Sequence, residues 1–302
     1  MVIPVYIKTY ESGELDKRIN SAYEMLKECT LCPRNCKANR LNNEKGFCKS
    51  GKLPIVSSYA PHFGEERPLV GQYGSGTIFF TNCNLGCIFC QNYDISHLGD
   101  GAEIDIETLS AMMISLKRRG CHNINFVTPT HFVPQILASL KIAIENGLNI
   151  PLVYNTGGYD SITTLKLLDG IFDIYMPDFK YWDKEIAKKF SNAPDYPEMA
   201  KEALKEMHRQ VGNLIIDNNG VAQKGLLVRH LVLPENLAGT YDAMKFIVDE
   251  ISPDTYVNVM AQYYPCFKAS DYLLLDRRIT HKEFIEAIEM AKRAGIWRFD
   301  KY

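Results

Sequence analysis

From Gly76 onward the chain repeats one pattern, a short apolar β-prone run followed by a longer segment of helical character. The runs are residues 76–82 (GTIFFTN), 123–128 (NINFVT), 151–155 (PLVYN), 171–176 (IFDIYM), 225–233 (GLLVRHLVL) and 256–260 (YVNVM). Helices are expected over 105–119, 133–146, 160–168, 184–211, 240–250 and 280–294. Pro134 and Gly147 bound the second of these in the usual order, and Thr280 with Glu283 makes a capping box for the last, which Gly295 stops. Strands that are apolar almost throughout are buried on both faces, which calls for a parallel sheet covered by helices. Six units fall short of the eight of a closed barrel, so the expected class is α/β, an open (β/α)6 partial barrel.

Ahead of the barrel the pattern is different. Residues 14–28 read as a helix with Leu15, Ile19, Ala22, Tyr23 and Leu26 on one face. Residues 29–51 are rich in Cys, Asn and Gly and have little apolar periodicity, so they need a ligand to hold them. The expected domains are residues 1–70, a helix with a Cys-rich metal-binding module, and 71–302, the barrel. The segment 1–18 carries Glu11, Glu14 and Asp16 and does not read as a signal peptide. No run reaches the roughly 20 apolar residues of a membrane span, so a cytoplasmic protein is expected. A formal charge of −2 gives no reason to expect a nucleic acid partner.

Seven of the nine cysteines fall between Cys29 and Cys90. In a reducing compartment, dense short-spaced cysteines read as metal ligands rather than disulfides. Cys121 and Cys266 stand alone and read as small hydrophobes. Cys83-Asn-Leu-Gly-Cys87-Ile-Phe-Cys90 places three thiolates on one tight loop directly after the first strand. A 4Fe–4S cluster normally takes four thiolates, so three leave one iron open for chemistry. Gly86 eases the turn, and Phe89 is expected to shield the cluster.

This triplet resembles the radical S-adenosylmethionine (SAM) signature. Runs such as FFTNCNLGCIFCQN, NFVTPTHF, YNTGGY, IYMPDFKY and VRHLVLP resemble those of the pyruvate formate-lyase activating enzymes, and the chain is similar to the PflX-like proteins. The resemblance implies a TIM-type barrel and reductive cleavage of SAM at the open cluster to a 5′-deoxyadenosyl radical that abstracts hydrogen from a substrate. It also implies a reductant such as flavodoxin or ferredoxin. Where activating enzymes carry Gly-Gly-Glu, this chain has Thr128-Pro129-Thr130-His131; Thr128 and Thr130 are the remaining hydrogen-bonding candidates there. Asn155 and Thr156 fall at the Asp-Thr-Asn-Gly position, suited to ribose and methionine contacts, and Asp178, Lys180 and Arg229 match residues that approach SAM. The same region implies a monovalent cation beside the SAM carboxylate.

Cys29, Cys32, Cys36 and Cys48 supply four more thiolates, which close a site. Zinc and a second iron–sulfur cluster both satisfy that ligand set; proximity to a redox core leans the reading to iron. Arg34, Asn35 and Arg40 read as solvated loop residues; His62, Glu65 and Glu66 could approach the barrel mouth, with a turn carrying ordinary surface acids as the favoured reading. His131 is balanced between site contact and loop capping, His230 reads as a buried second-layer residue, and Gln262 and Tyr263 are weaker candidates for the mouth. Three functions compete: an activating enzyme for a glycyl radical enzyme, radical modification of a small molecule, peptide or RNA, and, more remotely, a non-catalytic iron–sulfur electron carrier.

Overall fold

The computed structural model describes residues 3–300. Its strands are β1 (Ile55–His62), β2 (Ser75–Phe80), β3 (Ala102–Glu103), β4 (Ile124–Val127), β5 (Leu152–Thr156), β6 (Ile174–Pro177), β7 (Ile215–Ile216), β8 (Ala222–Leu231) and β9 (Tyr256–Met260). Its helices are α1 (Val5–Glu11), α2 (Glu14–Glu24), α3 (Arg67–Val70), α4 (Ile106–Arg118), α5 (Val133–Glu145), α6 (Ile162–Leu167), α7 (Lys184–Ser191), α8 (Tyr196–Val211), α9 (Thr240–Phe246) and α10 (His281–Ala294). All six expected strand–helix units are present. Strands β2, β4, β5, β6, β8 and β9 pair in that order and in parallel. Residues from the first and last of them line one cavity, so the sheet is curved and open.

The sheet is mixed rather than wholly parallel. β1 pairs antiparallel with β2 and carries the short β3 on its outer side, while β7 pairs antiparallel with β8. The apolar pattern does not reveal β1 because it lies next to the sheet's edge, covered on its outer side only at Ile55 and Val56: Ser57, Ser58 and Pro61 break its apolar run, and much of it is exposed. The single helix expected over 184–211 is two. Asn192 ends α7 in the left-handed conformation (φ 47°), and Pro197 sits in the first turn of α8. The helix expected over 240–250 ends at Phe246 and passes into a wider turn, Ile247–Ile251. The capping box at Thr280 and Glu283 forms as expected.

Residues 1–70 are not cored separately throughout. Tyr6, Leu15, Ala22 and Val56 share one buried cluster with Ile78, Phe126 and Tyr154 of the sheet. α1 has no counterpart among the expected elements. The Val5 N–H donates to Asp173 and the Tyr6 hydroxyl to the Ile150 carbonyl, anchoring α1 at the leading ends of β5 and β6. Leu26, Cys29 and Leu31 form a small cluster of their own beside the Cys-rich loop. No helix among the described residues is long and apolar enough to cross a membrane.

Candidate functional site

Beyond Phe80 the chain leaves β2 through Asn82, held left-handed (φ 64°), and enters the cysteine loop. Gly86 is left-handed as well (φ 70°), and a Cβ there would lie 3.3 Å from the Phe47 ring. Cys83, Cys87 and Cys90 are free thiols. Each sulfur accepts a hydrogen bond: from the Leu85 amide to Cys83 (3.3 Å), the Ser191 hydroxyl to Cys87 (3.1 Å) and the Ser96 hydroxyl to Cys90 (3.1 Å). Donors aimed at sulfur favour thiolate and tune a bound cluster. Phe89 is packed edge-on among Tyr181, Phe190 and Tyr263, so the loop is closed from behind.

All three cysteines border a cavity of about 220 Å³ together with Val127, Thr128, Asn155, Asp178, Lys180, Arg229 and Gln262. The register explains the convergence. Asn155 lies beside Met176, Thr156 beside Pro177 and Asp178 beside Arg229, so the trailing ends of β5, β6 and β8 form one rim. Arg229 donates to Asp178 (2.8 Å) through Nε and to Asn155 (2.7 Å) through Nη2, and Lys180 pairs with the other oxygen of Asp178. Burial alone would push the Asp178 carboxyl up; Arg229 and Lys180 outweigh it and hold it below the usual carboxylate range. Three free thiols with donors, opening onto a rim of fixed opposite charges, fit an open cluster with a zwitterionic ligand.

Thr128 lines the cavity with φ 58°, a conformation that a β-branched residue adopts only under constraint. Thr130 is 1 % exposed and does not line the cavity. Its hydroxyl donates to Asp160 (2.7 Å), as do those of Thr156 (2.7 Å) and Tyr154 (2.9 Å). The Thr156 hydroxyl therefore faces this buried carboxylate, although the residue borders the cavity. His131 is buried away from the mouth: it meets the Thr81 carbonyl at 2.9 Å, and burial pushes its pKa down to about 3. His230 is the buried second-layer residue expected, held between the Phe179 carbonyl and Thr240. Tyr263 is buried, with its hydroxyl on the Leu275 carbonyl.

Glu65 and Glu66 overturn the reading as surface acids. Their side chains are 8 % and 4 % exposed and face Arg229 at 3.7 and 3.9 Å. The segment linking β1 to α3 turns inward because Leu69 inserts among Val153, Met176 and Leu227, and it carries the two acids with it. Asn258 of β9 donates to Glu66 at 3.0 Å. Arg229 and Lys180 are thus set against three carboxylates. Desolvation, with Glu66 and Asp178 nearby, outweighs Arg229 and pushes Glu65 up to about 7. In the sequence the adjacent Pro68 suggests a turn, and nothing in the spacing signals a partner as distant as Arg229.

The upstream set lies against the triplet loop. Arg34, between Cys32 and Cys36, donates to the Asn84 and Leu85 carbonyls (2.9 Å each) and to that of Ser191 (2.8 Å), and its guanidinium stacks 3.8 Å from the Phe47 ring centre. Arg40 is fully buried. Neither arginine is the solvated loop residue expected: each fills a cage of carbonyls that the Cys-rich loop makes as it wraps onto the barrel. Cys48 and Cys83 both line an opening of about 280 Å³. Among the described residues no three His, Cys, Asp or Glu side chains are close enough to hold a single metal ion.

Comparison with known proteins agrees with this geometry. The model of the radical SAM superfamily matches residues 77–221. Uncharacterized protein MJ0674 of Methanocaldococcus jannaschii is 33 % identical over 290 residues, spanning 93 % of this chain and 79 % of its own length. Uncharacterized protein MJ0808 of the same organism is 26 % identical over 299 residues, spanning 91 % of this chain and 79 % of its own. Among solved structures, that of Streptococcus suis SuiB bound to precursor peptide SuiA superposes with a TM-score of 0.46 and 12 % identity over 72 % of this chain, which spans 46 % of that one. With its three-cysteine loop at the head of the matched region, and a relative similar over nearly its whole length, this chain belongs to the radical SAM superfamily.

Proposed function

We propose that this protein binds SAM between the Cys83/Cys87/Cys90 loop and the rim of β5, β6 and β8, and cleaves it reductively to begin hydrogen abstraction from a substrate. The observation that carries the reading is one cavity bordered by all three cysteines and by Asn155, Asp178, Lys180 and Arg229. When bound, a 4Fe–4S cluster and SAM supply the redox chemistry: one electron enters the sulfonium, releasing methionine and a 5′-deoxyadenosyl radical. The chain's own part is positioning. Asp178, fixed by Arg229 and Lys180, is set to meet an amino group, and Lys180 a carboxylate. Thr128 brings a left-handed backbone to the cavity wall in the stretch that stands in for the Gly-Gly-Glu run of activating enzymes, whose acidic residue this chain lacks. Asn155 and Thr156 stand where ribose contacts and a monovalent cation are expected. The apolar wall of Phe89, Tyr181 and Tyr263 keeps water from behind the loop.

Cys29, Cys32, Cys36 and Cys48 make up a second, closed metal centre in this reading. By ligand type four thiolates suit zinc and an iron–sulfur cluster alike, although among the described residues no three of them are close enough to hold a single ion. The opening that Cys48 shares with Cys83 puts this set next to the redox loop, which supports iron–sulfur over zinc. Radical SAM chemistry needs a reductant; a flavodoxin or ferredoxin in the cytoplasm suits the role.

Reconstituted protein with dithionite should convert SAM to 5′-deoxyadenosine, and Cys87→Ala should abolish the conversion. Equal turnover by the variant would refute the assignment. Installing a radical on a glycine of a partner protein is the finer reading, supported by the strand-end runs shared with activating enzymes. Incubation with co-encoded glycyl radical enzymes should then give the glycyl EPR doublet. Its absence moves the substrate to a small molecule, peptide or RNA.

A further inference from the structure

We infer that Arg40 is the buried counter-cation of a negatively charged metal centre on Cys29, Cys32, Cys36 and Cys48. The inference rests on the second-centre reading proposed above.

Arg40 is 0 % exposed, the largest of the fully buried side chains. A cation taken out of water costs several kcal/mol unless opposite charge compensates it. Its hydrogen bonds go elsewhere. Nε and Nη2 donate to the Gly51 carbonyl (3.1 and 2.9 Å), and Nη1 to the His131 carbonyl (2.6 Å). Carbonyls satisfy the donors but bring no net charge. Among the described residues no carboxylate forms an ion pair with it. The remaining polar neighbour is the Cys29 sulfur, 3.9 Å from Nη1.

A neutral thiol would leave the cation only the carbonyl dipoles and the Phe132 ring, 5.7 Å from the guanidinium carbon, and no negative charge. Thiolates compensate it, and thiolates persist at a buried site when a metal holds them. Four thiolates around a core of two positive charges leave a net charge of about −2, whether the core is a cubane or zinc. One buried guanidinium gains its counter-charge from that centre and offsets half of the centre's own charge. The loop is shaped around this arrangement. Asn35, Lys37 and Asn43 are left-handed (φ 43°, 59° and 60°), and the Cys29 amide and carbonyl are locked to Ala38 and Lys37 (3.0 and 3.2 Å). The grip on the His131 carbonyl fixes Arg40 to the barrel as well, so the charge cannot withdraw from the sulfurs. A cation held there favours the more negative, reduced state of a cluster, and so raises its midpoint potential.

The test uses the full chain carrying Cys83→Ala, Cys87→Ala and Cys90→Ala, so that retained metal belongs to the second set. After reconstitution with iron and sulfide this parent should retain iron. Adding Arg40→Gln should lower its affinity in chelator competition by about 10–100-fold, as loss of a partner outside the ligands does elsewhere. It should also move the midpoint potential, read by EPR during dye-mediated titration, to more negative values. Arg40→Lys keeps the charge and should stay near the parent in both. A folded Arg40→Gln protein with unchanged affinity and potential overturns the inference and leaves the second centre standing. A folded Arg40→Lys protein that loses the metal overturns it too, and decides the matter if Arg40→Gln does not fold. A parent that binds no metal removes the second centre and the inference together. A parent that binds zinc removes only the iron reading, and the zinc affinity of Arg40→Gln then decides the role of Arg40.

Discussion

Replacing Glu65 by Gln should stabilise this protein at alkaline pH, although it deletes a carboxylate that faces an arginine. Glu65 sits with Glu66 and Asp178 around Arg229, and Lys180 is the second cation. Three acids against two bases leave one surplus negative charge in a buried space. Glu65 relieves it by holding a proton, its pKa rising from 4.5 to about 7 through desolvation and its acidic neighbours. That displacement corresponds to about 3 kcal/mol. The folded pKa is raised, so the contribution is fully present below the unfolded value of 4.5 and is lost as pH rises through about 7. Gln mimics the protonated acid and has nothing to lose. Urea unfolding followed by circular dichroism should find Glu65→Gln nearly equal to the parent at about pH 5 and about 2–3 kcal/mol more stable at about pH 8.5. Asp173, raised by burial to about 6 beneath α1, titrates in both proteins and cancels in the difference. A variant less stable than the parent at alkaline pH, or a gap that does not change with pH, would show that the ion pair with Arg229 outweighs the surplus charge.

Asp160→Ala removes the acceptor of three buried hydroxyls, those of Thr130, Tyr154 and Thr156, and should cost at least about 3 kcal/mol in urea unfolding, with Asp160→Asn milder. A loss under about 1 kcal/mol would mean that the three hydroxyls find other acceptors. Thr128→Gly relieves a left-handed conformation worth about 1–2 kcal/mol and adds about 0.5–1 kcal/mol of chain entropy, so thermal stability should hold or rise slightly. A marked loss would mean that the Thr128 side chain contributes packing or bonds which outweigh its strain.

The barrel was legible because strands covered on both faces need continuous apolar runs, and such runs stand out between helical segments. β2, β4, β5, β6, β8 and β9 all fall where those runs predict. β1 did not stand out, because beside the sheet's edge only Val56 of it is buried and Ser57, Ser58 and Pro61 interrupt it. The break between α7 and α8 was hidden for a related reason: polar, helix-favouring residues continue on both sides of Asn192.

The candidate site divides in the same way. Cys83, Cys87 and Cys90 lie within eight residues, so chain connectivity alone brings their sulfurs together, and the sequence by itself determined that chemistry. It also put Asp178 and Lys180 on one face of a strand end and Arg229 within a strand, since alternation along a strand is a local property. The partners of those residues were decided only by tertiary structure. Glu65 and Glu66 reach Arg229 from the far side of the sequence, Asp160 takes the hydroxyls of Thr130 and Thr156, and Arg40 is enclosed by Gly51, His131 and Cys29. Burial and charge pairing depend on which segments meet in space, and a charged residue in a loop reads alike whether it ends in water or in a cage of carbonyls.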